Sequence, residues 1–141
     1  MDEQITLDYG SGGQKTANLI QSILLPAFDN PALAELGDGA VLAGGPKLIF
    51  STDSFVVSPW EFPGGDIGKL AVCGTVNDLC MAGSEPRYLS LALILEEGFL
   101  LSDLKRIVRS IADQAKAAGV SIVTGDTKVV ESGKGDGIYI N

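Results

Sequence analysis

Residues 50–87 read FSTDSFVVSPWEFPGGDIGKLAVCGTVNDLCMAGSEPR. A β-like run ends at Asp53, a Pro/Gly turn follows at 63–65, and Asp66–Ala82 has the make-up of a helix. Ile67, Leu70, Ala71, Val72, Val76, Leu79 and Met81 set apolar groups nearly all round that helix, the pattern of one buried on most sides. Gly83 suits the position after its last turn. Gly68 and Gly74 each cost about 1 kcal/mol of helix propensity, so both should mark close contact with a neighbour. Asp53, Asp66, Lys69, Asn77 and Asp78 stand in this greasy stretch, where burial is costly unless a group is paired or liganded. By helical periodicity Asp66, Lys69 and Asn77 share one stripe, and Asp78 lies about a quarter-turn away.

Downstream, Tyr88–Leu95 is apolar on both faces, which suits a central strand. Ser102 should cap a helix whose Leu104, Ile107, Val108, Ile111, Ala112 and Ala115 form one stripe, with Lys105, Arg106, Arg109 and Lys116 facing water. Gly119 ends it, Val120–Thr124 reads as a strand delivering Asp126, and a glycine-rich turn leads to a last strand at 137–141. Upstream, Gly10, Gly12 and Gly13 form a loop before Lys15, and a helix should run to a break at Pro26. A turn, a short strand just after Asp38, another turn and a strand at 47–52 ending on Asp53 fill the gap. The order α, β, α, β, α, β, β predicts an α/β (α+β) fold: a mixed sheet with helices packed on one face.

With 141 residues, 45% of them hydrophobic, the chain suits one domain with a real core. Its net charge is −8 and no basic stripe is present, so a nucleic-acid partner is not expected. There is no histidine, which removes the Ser-His-Asp triad and most catalytic zinc sites. Cys73 and Cys80 lie about 10 Å apart along a helix axis, too far for a disulfide, and read as reduced, buried thiols of a cytoplasmic protein. No apolar run is long enough for a membrane span, and the acidic N-terminus lacks the apolar region of a signal peptide. The apolar strand that stops at Asn141 points to a chain cut from a longer protein.

Asp38, Asp53, Asp78 and Asp126 each stand singly at the expected end of an element, beside Gly, Thr or Asn. Single acids converging in this way suit Mg²⁺, which takes a few carboxylates, keeps waters and shares its ligand's phosphates. The loop with Gly12, Gly13 and Lys15 could offer backbone N–H donors and a cation to the same phosphates. It is not a P-loop, because Gln14 separates the glycines from Lys15. The residues alone leave open that these are ordinary turn aspartates and a plain flexible loop.

The strings PGGDIGKLAVCGTVNDLCMAGSEPRYLSLALILEEG, VTGDTKVV and GKGDGIYIN resemble the HypE family of hydrogenase maturation proteins, within the aminoimidazole ribonucleotide synthetase superfamily. The likeness runs from about Tyr9 to Asn141. It implies that residues 1–141 form a single N-terminal ATP-binding and dimerisation domain, with the C-terminal lobe of a two-domain protein absent. It implies a homodimer in which strands of two such domains join, with ATP at or near the interface. The activity it implies is ATP-driven dehydration of a carbamoyl group on a C-terminal cysteine to a thiocyanate, the source of cyanide ligands for nickel–iron hydrogenase. Phosphorylation would turn the amide oxygen into a good leaving group, so no protein nucleophile is required in this half. Other hydrogenase maturation proteins, a carbamoyl transferase and an iron-scaffold complex, are the implied partners. By the same resemblance Asp38, Asp53, Asp78 and Asp126 face Mg²⁺–ATP, Gly12, Gly13 and Lys15 cover the phosphates, and Asn77 and Lys128 lie near the nucleotide. Gly39 replaces a second acid that many superfamily members carry, which thins the metal ligation at that corner. Alternatives are a selenophosphate synthetase, a thiamine phosphate kinase, a purine synthetase, or a non-catalytic dimerisation module.

Overall fold

The computed structural model describes residues 3–37 and 39–141. Its centre is a three-stranded mixed sheet in the order β4-β3-β5. Strand β3 (Tyr88–Glu96) runs parallel to β4 (Ser121–Val130) and antiparallel to β5 (Ile138–Ile140). Helices α4 (Ile67–Met81) and α5 (Leu101–Ala118) lie against each other beside the sheet. Leu91, Leu93 and Leu95 of β3 join Ile107, Val108 and Ile111 of α5 and Ile67, Ala71 and Val72 of α4 in one buried cluster. The expected mixed α/β architecture is the one observed.

Alternation sets which side of β3 is covered. Leu91, Leu93 and Leu95 point into the core, whereas Tyr88, Ser90 and Ile94 on the other face are exposed. The apolar residues on both faces correctly marked a central strand, yet this chain covers only one face. Glycines permit the close packing. A Cβ on Gly68 would sit 2.8 Å from the Ile107 carbonyl oxygen, and one on Gly74 would sit 2.9 Å from the Phe55 ring. Both were expected to mark close contacts, and both do.

The N-terminal arm pairs with the turn before α5, through Ile5 N–H to the Phe99 carbonyl and Leu101 N–H to that of Glu3. A 3-10 turn at Leu7–Gly10 leads to α1 (Gln14–Leu19), a π-helical segment Ile20–Leu24, α2 (Leu25–Phe28) and α3 (Pro31–Ala34). The helical path does not break at Pro26. The π-type bond from Leu25 N–H to the Ile20 carbonyl shifts the ladder by one residue just before Pro26, which has no N–H to place in it. A hairpin of β1 (Glu61–Phe62) and β2 (Gly65–Asp66) then feeds α4.

Helix α4 is not buried on most sides: Lys69, Leu70, Asn77, Asp78 and Met81 are exposed. Cys73 and Cys80 are free, as expected, but exposed rather than buried. Leu100, not Ser102, precedes the first turn of α5, with no side-chain cap. Strand β4 does not stop at Thr124; it continues through Gly125 and Asp126, because the missing Gly125 side chain lets the Leu91 carbonyl approach closely. Residues 39–54 form no strand, despite the β-like 47–52 run. Val41 is 91% and Phe50 90% exposed, so the propensity is there but, among the described residues, a partner strand is not. Only at Phe55 does this segment rejoin the sheet, bridging Ile140 through bonds of 2.7 and 3.1 Å.

Candidate functional site

Two hollows flank the sheet. The first has a volume of about 250 Å³. Gly10, Gly12 and Thr16 form one rim, Gly37 and Gly39 another, and residues 124–128 of β4 a third. Asp38 itself lies outside the described residues, but the glycines on either side of it line this space. Asp126 stands mid-strand, opposite Ala92, with its side chain exposed while that of Thr127 turns inward. The Asp126 carboxylate accepts from Thr127 N–H at 2.8 Å and meets the Lys128 ammonium at 2.7 and 3.0 Å. The Lys128 bond, helped by the Thr127 amide, holds the Asp126 carboxyl below the usual aspartate range.

The glycine loop is built differently from the expectation. The Thr16 hydroxyl accepts from Gly12 N–H at 3.1 Å and donates to the Tyr9 carbonyl at 2.9 Å. Gly12 takes the left-handed conformation, φ 78°, that this tight return needs. Its N–H is therefore engaged within the loop. Lys15 turns away from the hollow: its ammonium donates to Thr6 Oγ1 at 3.1 Å, lies 3.6 Å from the Asp8 carboxylate and sits 5.4 Å over the Tyr9 ring. Tyr9 in turn donates to Glu3 at 2.6 Å, and that bond together with burial raises its pKa. Gly13 precedes α1 and is exposed.

The second hollow, about 100 Å³, lies between residues 49–55, α4 and the sheet. Asp53, Thr75, Ser90 and Asn141 supply polar groups over an apolar floor that includes Phe55 and Leu91. Asp53 is exposed and accepts from Ser54 N–H at 2.7 Å. Asp66 and Lys69 serve the helix instead: Asp66 accepts from Lys69 N–H as the N-cap of α4, and the Lys69 ammonium reaches the Gly64 carbonyl at 3.1 Å. Asn77 and Asp78 lie exposed on the C-terminal half of α4.

Of the sequence-predicted site residues, the structure thus brings Gly12, Asp126 and Lys128 to one hollow, beside the glycines that flank Asp38. Asp53 borders the other hollow, and Lys15 faces neither. Among the described residues no three acidic or thiol side chains cluster as a metal site would require. Asp53, Asp78 and Asp126 do not form a divalent-ion cage in one chain. Asn141 escaped the sequence reading. An amide one residue beyond a strand carries no motif signal, and its role shows only in its contacts to Thr52, Asp53 and Ser54.

This sheet, with its two hollows and its loose β-like arm, belongs to a defined class. Residues 36–141 match the family model described as AIR synthase related protein, N-terminal domain, and the chain is a member of that family. Within it, the chain is 55% identical over 139 residues to carbamoyl dehydratase HypE of Cupriavidus necator, covering 97% of this chain and 40% of that protein. It is 53% identical over 143 residues to the Escherichia coli HypE, covering 97% and 43%. A HypE crystal structure in complex with ATP matches with a TM-score of 0.94 at 54% identity, over 95% of this chain and 40% of the other. A HypE–HypF complex matches with a TM-score of 0.64 at 54% identity, over 86% and 39%. The chain therefore spans about 40% of the length of these relatives.

Proposed function

We propose that this chain is the N-terminal, nucleotide-binding half of a hydrogenase maturation carbamoyl dehydratase, and that a C-terminal lobe completes the protein. In this reading ATP is spent to dehydrate a carbamoyl group on a C-terminal cysteine to a thiocyanate, which becomes a cyanide ligand of nickel–iron hydrogenase. The observation that carries it is the near-complete structural match, at high identity, to a relative solved with ATP. The first hollow supports the reading, since Lys128 and Asp126 meet there beside the Gly12 loop and the glycines flanking Asp38.

ATP supplies the phosphoryl group that converts the amide oxygen into a leaving group. The residues proposed for its handling are Gly12, Gly13, Lys15, Asn77 and Lys128. Mg²⁺ is proposed to be held by Asp38, Asp53, Asp78 and Asp126. Among the described residues Asp53, Asp78 and Asp126 form no common cluster, so assembly of that set requires the nucleotide's own oxygens or a second copy to draw them together. Lys128 must then give up Asp126, and Lys15 must leave Asp8, for either to act on phosphate.

A homodimer fits the exposed surface. The β-like run 47–52 forms no strand, Val41, Leu48 and Phe50 stand largely exposed, and the outer face of β3 presents Tyr88 and Ile94 to water. An unpaired β-like run beside an uncovered sheet face is a template for pairing with another chain. A HypF-like maturation protein is a proposed partner, by analogy with the relative solved with HypF. No helix among the described residues is long and apolar enough to cross a membrane; a cytoplasmic location is part of the proposal.

The test is ATP turnover by the full-length protein. Asp53→Asn and Asp126→Asn should each lower it by about 100-fold or more, the loss that follows removal of a group stabilising transferred charge. Turnover at the wild-type rate in both variants would refute the metal assignment.

A further inference from the structure

We propose that Asn141 is a positioning residue for Asp53, a statement that rests on the proposed Mg²⁺–ATP chemistry. Asn141 follows β5, and its backbone is fixed to the central strand from both sides. Ala92 N–H donates to the Asn141 carbonyl at 2.7 Å, and Asn141 N–H donates to that of Ala92 at 3.0 Å. From this anchored position the side-chain amide reaches across to the strandless arm. Its Nδ2 lies 2.8 Å from the Asp53 carbonyl, 3.0 Å from Ser54 Oγ and 3.1 Å from Thr52 Oγ1.

An amide nitrogen has two hydrogens. The Asp53 carbonyl and Ser54 Oγ take them at the two shorter distances, and the Thr52 hydroxyl then donates to Asn141 Oδ1 at 3.4 Å. One side chain thus spans three consecutive residues centred on Asp53. Among the described residues the sheet's backbone otherwise holds this arm only at Phe55, through its bridge to Ile140, and residues 41–50 upstream are all exposed. Without Asn141 the backbone at Asp53 would hang from Phe55 alone. With it, the backbone is fixed, and the carboxylate, which accepts from Ser54 N–H at 2.7 Å, is aimed from a defined point on the rim of the second hollow. Asn141 touches no reacting atom in this scheme; it acts through Asp53.

The experiment compares full-length wild type, Asn141→Ala and Asn141→Asp. The aspartate keeps size and packing but cannot donate to the Asp53 carbonyl, so a packing role would spare it. Two readouts are taken: amide hydrogen exchange over residues 52–55 without nucleotide, and the KM for Mg²⁺–ATP against kcat. Both variants should exchange about tenfold faster at Ser54 and Phe55, the bonded amides of this stretch, the equivalent of one net hydrogen bond. Both should also raise KM by a similar factor, with global stability near wild type. Unchanged exchange in both variants, or an Asn141→Asp protein that behaves as wild type, would overturn the proposal. If wild type itself binds no Mg²⁺–ATP, the functional reading fails, visibly in the unmutated protein, and the positioning role falls with it.

Discussion

At the scale of residues, the Asp126–Lys128 pair shows how the fold sets a side chain's chemistry. The two residues are two apart on the same face of β4, so their side chains meet without a turn or a helix between them. Replacing Lys128 with alanine removes the main cause of the lowered Asp126 pKa, and an NMR titration should show the carboxyl return toward its ordinary value. The sign of the linked stability follows. A carboxylate whose folded pKa is depressed contributes above the unfolded value of about 4 and loses that contribution as pH falls through the folded value. Because both partners are more than half exposed, the contribution is at most about 1 kcal/mol. Glu96 behaves similarly. Its oxygens accept from Gly137 N–H at 2.9 Å and Gly133 N–H at 2.5 Å, which lowers its pKa and ties down the turn before β5. That turn should loosen as Glu96 is protonated, measurable as faster amide exchange at 133–137 in acid than neighbouring sites show.

At the scale of elements, glycines decide how closely the pieces approach. A Cβ at Gly125 would lie 2.2 Å from the Leu91 carbonyl oxygen, inside the β3–β4 ladder, where neither backbone can give way. Gly125→Ala should therefore cost more than about 3 kcal/mol in denaturant unfolding. Gly68→Ala meets a carbonyl at 2.8 Å and the Ile111 side chain at 2.9 Å, but gains up to about 1 kcal/mol of helix propensity. Its net cost should be smaller, about 1–2 kcal/mol. Equal losses for the two would contradict this account of the packing.

The same elements show what could be read beforehand. The stripe on α5 was plain because Leu104, Ile107, Val108 and Ile111 repeat at helical spacing and all are buried. The extent of β4 was hidden because Gly125 reads as a turn residue, and only the nearby Leu91 backbone explains it as a close approach. The passage of the helix beyond Pro26 depends on a π-type bond that no residue pattern announces. The β character of 47–52 was legible, but pairing is a relation between segments, and the described residues offer that segment no partner strand. For the site, the single acids were visible; their separation was not. Asp53 and Asp126 look equivalent in sequence, each ending an apolar run, yet they border different hollows of the sheet.

At the scale of the whole molecule, the uncovered apolar surface is the main unsatisfied feature. The proposed dimer would bury Val41, Leu48 and Phe50, which are 79–91% exposed in the single chain. Phe50→Asp should shift the full-length protein from dimer to monomer in analytical ultracentrifugation while its far-UV spectrum stays unchanged. A variant that remains fully dimeric would place the interface elsewhere. The most direct test of the proposed function is mass spectrometry of the full-length protein carrying a carbamoyl group on its C-terminal cysteine, incubated with Mg²⁺ and ATP. Loss of one water from the modified cysteine is expected in wild type, and about 100-fold more slowly or not at all in Asp126→Asn. An intact carbamoyl group in wild type, or water lost without ATP, would contradict the proposed function.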